Sequence, residues 1–109
     1  MIMELIKIHV PDKNSSFVRA ALDKKIYHIK FDWNEYGKYW TFGVYTSLIE
    51  PIVQATKIVP NYPFNLQYIY KELPSGVFFA YTKKDRITRE DFKDGLAVFA
   101  YIPMKAAET

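Results

Sequence analysis

The sequence predicts an all-β fold: a small antiparallel β-barrel or sandwich of about seven strands, with one short helix near residues 88–93. Three observations predict it. The composition favours strands, with two Trp, nine Tyr and eight Phe among 109 residues, joined by eleven Ile, seven Val and six Thr, against only 14 Ala and Leu. Several segments alternate apolar and polar residues with a period of two. No segment is suited to a long helix that could cover a sheet, so the sheet must close on itself or pack on a second one.

The elements follow in order. Residues 3–10 form the first strand candidate: Ile2, Ile6, Ile8 and Val10 share one parity, with Glu4 intruding. Residues 11–15 (Pro, Asp, Lys, Asn, Ser) are a turn cluster. Residues 16–22 are the second strand, and Asp23, Lys24 and Lys25 make a tight connection to the third. Residues 25–33 are the clearest strand, with Tyr27, Ile29, Phe31 and Trp33 on one face and Ile26, His28, Lys30 and Asp32 on the other. Residues 34–37 form a turn in which Gly37 is expected to take a positive φ. The strand over 38–46 puts Trp40, Phe42 and Val44 on one face against Tyr39, Thr41, Gly43 and Tyr45.

The register of this hairpin can be argued, because opposed residues share a face. A four-residue loop sets Phe31 opposite Trp40, Ile29 opposite Phe42 and Tyr27 opposite Val44. A three-residue loop would split the apolar set between two faces. The four-residue loop, or a bulge restoring its parity, is expected.

A weaker strand, 52–59, lies between Pro51 and Pro60. Residues 61–76, with Pro63, Pro74 and Gly76, are the least regular. Residues 77–82 are a strong strand, and 83–86 a charged turn. Thr88 reads as a helix cap with Glu90 and Asp91 in the first turn, and Asp94 and Gly95 stop that helix within about two turns. Residues 96–102 form the last strand, ended by Pro103. Residues 1–104 are expected to be a single β domain, and 105–109 a flexible C-terminal tail.

Composition closes several functional classes. There are no cysteines, which excludes disulfides, thiolate metal sites and thiol nucleophiles. The net charge is +3 and evenly spread, which is no electrostatic footprint for DNA. Glu4 and Lys7 interrupt the apolar N-terminal stretch, so no signal peptide is expected. The longest uncharged run, 58–70, is 13 residues and broken by Pro60 and Pro63, so no membrane insertion is expected. A soluble protein folding in the cytoplasm of its host cell is the expectation.

No catalytic, cofactor-binding or metal residues emerge. His9 and His28 lack zinc-ligand spacing, and His28 alternates with Lys30 and Asp32 as a solvated side chain. Ser15, Ser16, Ser47 and Ser75 lie in no nucleophile elbow. Asp85, Glu90, Asp91 and Asp94 interleave with Lys83, Lys84, Arg86 and Arg89, which reads as a solvated, mutually neutralising turn. The reading is therefore not an enzyme, with no small-molecule substrate. Aromatic strands with lysines also describe single-stranded nucleic-acid-binding β-barrels, but Trp40 and Phe42 align with a core face. A carbohydrate- or host-surface-binding β module is the other alternative. Residues 60–76 carry Tyr62, Phe64, Tyr68 and Tyr70 among prolines, rings that either serve as interface anchors or close the end of the barrel.

The order of motifs resembles the phage baseplate plug family of contractile-tailed bacteriophages, from about Leu5 to Pro103. The signature runs through Ala21, Leu22 and Asp23, then Ile26 and Tyr27, then Ile29-Lys30-Phe31-Asp32-Trp33-Asn34-Glu35 and Gly37-Lys38-Tyr39-Trp40. It continues with Ile58-Val59-Pro60, Leu73-Pro74-Ser75-Gly76-Val77-Phe78-Phe79, Thr88-Arg89-Glu90-Asp91-Phe92, Leu96-Ala97-Val98 and Tyr101-Ile102. Lys24 stands where such proteins often carry Gly, and 61–72 is more aromatic and less arginine-rich than the family pattern.

The resemblance implies a virion structural protein of the tail baseplate, near the central hub and tube, made in the host bacterial cytoplasm. Its implied partners are baseplate hub and tail tube proteins of the same virion, with several symmetric copies in the assembly. No catalytic residues carry over. A module this small could devote much of its surface to neighbours, at roughly 800 Å² per partner. The candidate interface residues are Tyr62, Phe64, Tyr68 and Tyr70, with Tyr39 and Tyr45 on strand faces.

Overall fold

The computed structural model describes residues 5–64 and 73–103, which form seven strands in two antiparallel sheets. The strands are β1 (Ile6–Ile8), β2 (Ser15–Leu22), β3 (Lys25–Asn34), β4 (Tyr39–Thr46), β5 (Pro51–Lys57), β6 (Val77–Thr82) and β7 (Ala97–Ile102). The larger sheet has the order β2-β3-β4-β5, and the smaller β1-β7-β6. The two sheets do not join into a closed barrel, and the sandwich alternative holds. The expected tail, 105–109, lies outside the described residues.

The β3–β4 hairpin keeps the expected parity and a four-residue loop, but its partners are shifted by two. Trp33 opposes Trp40, Phe31 opposes Phe42, Ile29 opposes Val44 and Tyr27 opposes Thr46. Asn34 explains the shift, because it closes the turn from inside the ladder, opposite Tyr39. Its Oδ1 accepts the Gly37 N–H at 2.9 Å, its Nδ2 donates to the Tyr39 hydroxyl at 3.1 Å, and its carbonyl accepts the Lys38 N–H at 2.8 Å. The positive φ falls on Lys38 (60°), not on Gly37. Gly37 is required for space instead: a Cβ there would stand 2.1 Å from the Tyr39 ring.

The sheets meet through aromatic rings. Phe42 lies 5.1 Å from Phe99, 5.2 Å from Phe64 and 5.4 Å from Phe78, centroid to centroid. Phe31 meets Phe99 edge to face at 5.1 Å. Such pairs contribute about 0.5–1.5 kcal/mol each beyond their buried area. Leu22, Ile29, Phe31, Phe42, Val44 and Tyr101 are fully buried, so the core is made by alternate residues of both sheets.

The helix expected near 88–93 is absent; residues 89–95 form turns. The reason is Asp91. Its carboxylate accepts the Thr88 N–H at 2.7 Å, and its carbonyl accepts the Leu96 and Ala97 N–H groups at 2.9 and 3.1 Å. A carbonyl committed to the start of β7 cannot also serve the i+4 donor of a continuing helix. One helical bond remains, Asp94 N to Glu90 O at 2.9 Å. This loop crosses the end of the sandwich, where Trp40 Nε1 donates to Thr88 O at 3.3 Å and the Trp40 ring meets Phe92 at 5.9 Å.

A second end is tied by Asp23. With Lys24 it forms a two-residue turn with φ of 53° and 67°, the signature of a type I′ hairpin. Its Oδ2 accepts from Ser75 N (2.8 Å), Ser75 Oγ (2.9 Å) and the Tyr101 hydroxyl (3.0 Å). The same hydroxyl accepts the buried Gly76 N–H at 2.7 Å. The larger sheet's first hairpin is thereby fastened to β7 and to the start of β6.

Candidate protein interface

The six residues singled out from the sequence fall into four groups. Tyr62 is exposed, its ring edge-on to Phe64 at 6.2 Å. Phe64 is buried: it bridges to Phe78, exchanging backbone bonds of 2.8 and 3.2 Å, and its ring supports Phe42. Tyr39 and Tyr45 are half-buried on the outer face of the larger sheet. Tyr39 carries Lys57 Nζ over its ring at 4.7 Å, and Tyr45 meets Phe17 edge to face at 5.1 Å. Tyr68 and Tyr70 lie outside the described residues.

Sequence reasoning passed over the outer face of the smaller sheet. Phe78, Ala80, Thr82, Ala97, Phe99 and Tyr101 are buried, so the alternate residues point outward. Those residues are Val77, Phe79 and Tyr81 on β6 and Val98, Ala100 and Ile102 on β7, in register as Val77–Ile102, Phe79–Ala100 and Tyr81–Val98. These six are apolar apart from the Tyr81 hydroxyl, but β1 sets the exposed Lys7 opposite Ala100 on the same face, and Ala100 is itself buried. Tyr81 and Leu96 are more than half exposed, at 51% and 54%. They border a depression of about 300 Å³ with Lys83, Lys84, Gly95 and Val98. The signal was present in the sequence: β6 and β7 read as unbroken apolar runs, the pattern of strands covered on both faces.

Phe17 was also missed. It is 44% exposed on β2, edge-on to Tyr45 and, at 6.4 Å, to His28. His28 is half-buried rather than solvated, with Nδ1 3.2 Å from Thr46 O.

Several charged groups are committed to structure. Asp91, expected on a solvated turn, is buried and accepts Lys84 Nζ on both oxygens at 2.9 and 3.0 Å. Burial pushes its pKa up, but the Thr88 N–H and the Lys84 ammonium outweigh burial and hold it below the ordinary Asp value. A cleft of about 240 Å³ lies between the β3–β4 loop and residues 85–87, lined by Lys38, Tyr39, Lys57 and Arg86 among others. Its cations are engaged: Lys38 pairs with Glu35, and Arg86 donates to Lys38 O at 3.3 Å. Beside it Arg89 donates to Asn14 and Asp12 at 2.8 and 3.0 Å and lies 5.2 Å from the Trp40 ring. Among the described residues no three His, Asp or Glu side chains group to hold a metal.

Burial, hydrogen bonds and ion pairs thus tie the two sheets together at both ends, which defines a small all-β sandwich module. The family model for the cyanophage baseplate Pam3 plug gp18 matches residues 3–103, and the chain belongs to this phage baseplate plug family. No curated protein matches it.

Proposed function

We propose that this plug protein sits near the central hub and tube of the tail baseplate and acts by docking on hub and tail tube proteins of the same virion, in several symmetric copies. The observation that carries the reading is the apolar outer face of β6 and β7. Tyr81 and Leu96 are its exposed apolar residues, beside the half-buried Val77, Phe79, Val98 and Ile102, and an apolar patch of this kind marks a surface that a neighbour can cover. Tyr62 adds an exposed ring at the edge of the same sheet, next to the Phe64–Phe78 bridge. The rigid links through Asp23 and Asp91 suit a part that must keep its shape under load and yield as a unit.

The test is assembly. Tyr81→Glu with Leu96→Glu changes two residues that are more than half exposed, and leaves the buried Phe78, Ala80 and Phe99 in place. The double variant is expected to fold with an unchanged melting temperature and to be lost from co-purification with hub and tube proteins. Normal incorporation of the variant would remove this face from the interface. Intact baseplates formed without the chain would remove the plug reading itself.

One feature favours the nucleic-acid alternative: Phe17, Tyr45 and His28 cluster near Lys30, whose Nζ lies 5.9 Å from the Phe17 ring. The Phe17 and Tyr45 rings, however, meet edge to face at 82°, so the two do not form one continuous stacking platform. Anisotropy titration with single-stranded DNA and RNA separates the two; micromolar, salt-sensitive binding would favour the alternative.

A further inference from the structure

The two sheets end in four edge strands, and they are not equally protected. β6 is covered by the chain itself: Asn61 N donates to Ala80 O at 2.7 Å, and the Asn61 side chain bonds Thr82 O and N at 2.8 and 3.2 Å. Phe64 completes that cover at Phe78. β5 begins with Pro51, loses register against β4 twice, and has Ala55 at φ 48°. β1 is only three residues long. Proline, bulges and short length are the devices that stop an edge from pairing.

β2 has none of them. It is eight residues long, pairs with β3 in unbroken register, and carries one charge, Arg19. Its inward residues are also incompletely covered. Ser16, Val18 and Ala20 are half-buried, although their partners Phe31, Ile29 and Tyr27 on β3 are buried. Among the described residues the Ser16 hydroxyl is buried with no hydrogen-bond partner. Among the described residues no strand pairs with the outer edge of β2, and its inward side chains are short of cover.

We propose that β2 accepts an extended strand from a neighbouring baseplate protein, one whose side chains alternate apolar and acidic. The apolar set would continue the inward row of Val18 and Ala20. The acidic set would lie on the outer row beside Arg19, which has no carboxylate partner among the described residues. Lys24, Lys25 and Lys30 make the same margin cationic, with Lys30 shared with Asp32 at 3.5 Å. A second copy of this chain is the poorer occupant. Registers that keep the inward row continuous over nearly the whole strand set Arg19 opposite or diagonal to its own copy, and like charges so placed repel. The inference rests on the plug reading for the source of the strand, but not for its chemistry.

Two experiments test it. In the first, an eight-residue peptide alternating Val and Glu is titrated into the isotope-labelled protein. Amide shifts are expected along β2 and its neighbour β3. Arg19→Glu is expected to keep the melting temperature and weaken binding by about tenfold, the scale of one interfacial ion pair. A peptide alternating Val and Lys is expected to recover binding to that variant. Shifts absent, or confined to the outer face of β6 and β7, would overturn the proposal. So would a dimer of the free protein that Arg19→Glu dissolves.

In the second, the absence of native cysteines lets Ala21→Cys carry a single photoreactive label on β2 in assembled particles. Cross-linking to an extended acidic segment of a neighbour supports the proposal. Particles that contain the chain but give no cross-link at Ala21 overturn it and leave the plug reading standing. Particles without the chain overturn the plug reading, and the peptide titration then decides the edge alone.

Discussion

Replacing Tyr101 by Phe removes one oxygen and leaves the ring packing intact, so it isolates the network that fastens the two sheets. The Tyr101 ring is fully buried and stays 5.3 Å from Phe78. The hydroxyl donates to Asp23 at 3.0 Å and accepts the Gly76 N–H at 2.7 Å. A hydrogen bond to a charged group contributes about 1.5–3 kcal/mol, and a stranded buried N–H costs about 1–3 kcal/mol. Asp23 keeps both Ser75 donors, which limits the loss on its side. The net destabilisation is expected to be about 2–3 kcal/mol, which lowers the melting temperature by about 10 °C.

Urea unfolding followed by tryptophan fluorescence reads this directly, because Trp40 is buried in the native state. The midpoint should fall by about 1–2 M with an unchanged slope. A loss below about 0.5 kcal/mol, within the scatter of ordinary surface substitutions, would refute the claim that this network carries stability. Pairing the change with Asp23→Ala in a double-mutant cycle should give a coupling of about 1 kcal/mol or more. Additive losses would instead place the whole effect on Gly76. The phenol should stay protonated in alkali: burial, then the Asp23 carboxylate, raise its pKa well above the ordinary value against the Gly76 N–H.

The remaining predictions concern a turn and a charge. Lys24→Gly should stabilise the protein by about 0.5 kcal/mol, because Lys24 sits at φ 67° where a Cβ is strained. A lower melting temperature would show that the Lys24 side chain contributes more than its strain costs. Asp91→Asn should cost about 2 kcal/mol at pH 7 by weakening the bonds to Lys84 and Thr88. The folded-state pKa of Asp91 is depressed, so its stabilisation is present above the unfolded value of about 3.9 and is lost as pH falls through the lower folded value. The gap between the urea midpoints of wild type and variant should therefore narrow as pH falls from 7 toward 2.5; a constant gap would contradict the assignment.

Strand existence was legible because it depends on local pattern. Alternation in Tyr27, Ile29, Phe31 and Trp33 committed one face of β3 to the core, and all but the half-buried Trp33 are buried. The partner register was off by two because Asn34 joined the ladder through three hydrogen bonds that no hydrophobic pattern encodes. The short helix failed for a similar reason: Thr88 and the acids after it do form a capping-like turn, but Asp91 is claimed by Lys84 and by the start of β7. The interface candidates were chosen by residue type, which located exposed Tyr62 but could not tell it from buried Phe64 two positions on. The apolar outer face of β6 and β7 was visible as unbroken hydrophobic runs, and was read simply as strong strands.

Composition and alternation settled that this chain is an all-β, disulfide-free protein with the rings of one face of β3 and β4 turned inward, since side-chain period and residue type are properties of neighbours along the chain. The division into two sheets, the cover over β6, the place of β2 at the edge of its sheet and the burial of Asp91 were decided only when segments far apart in the chain met. Those outcomes depend on which hydrogen bonds and contacts win in three dimensions, and no local window contains the competitors.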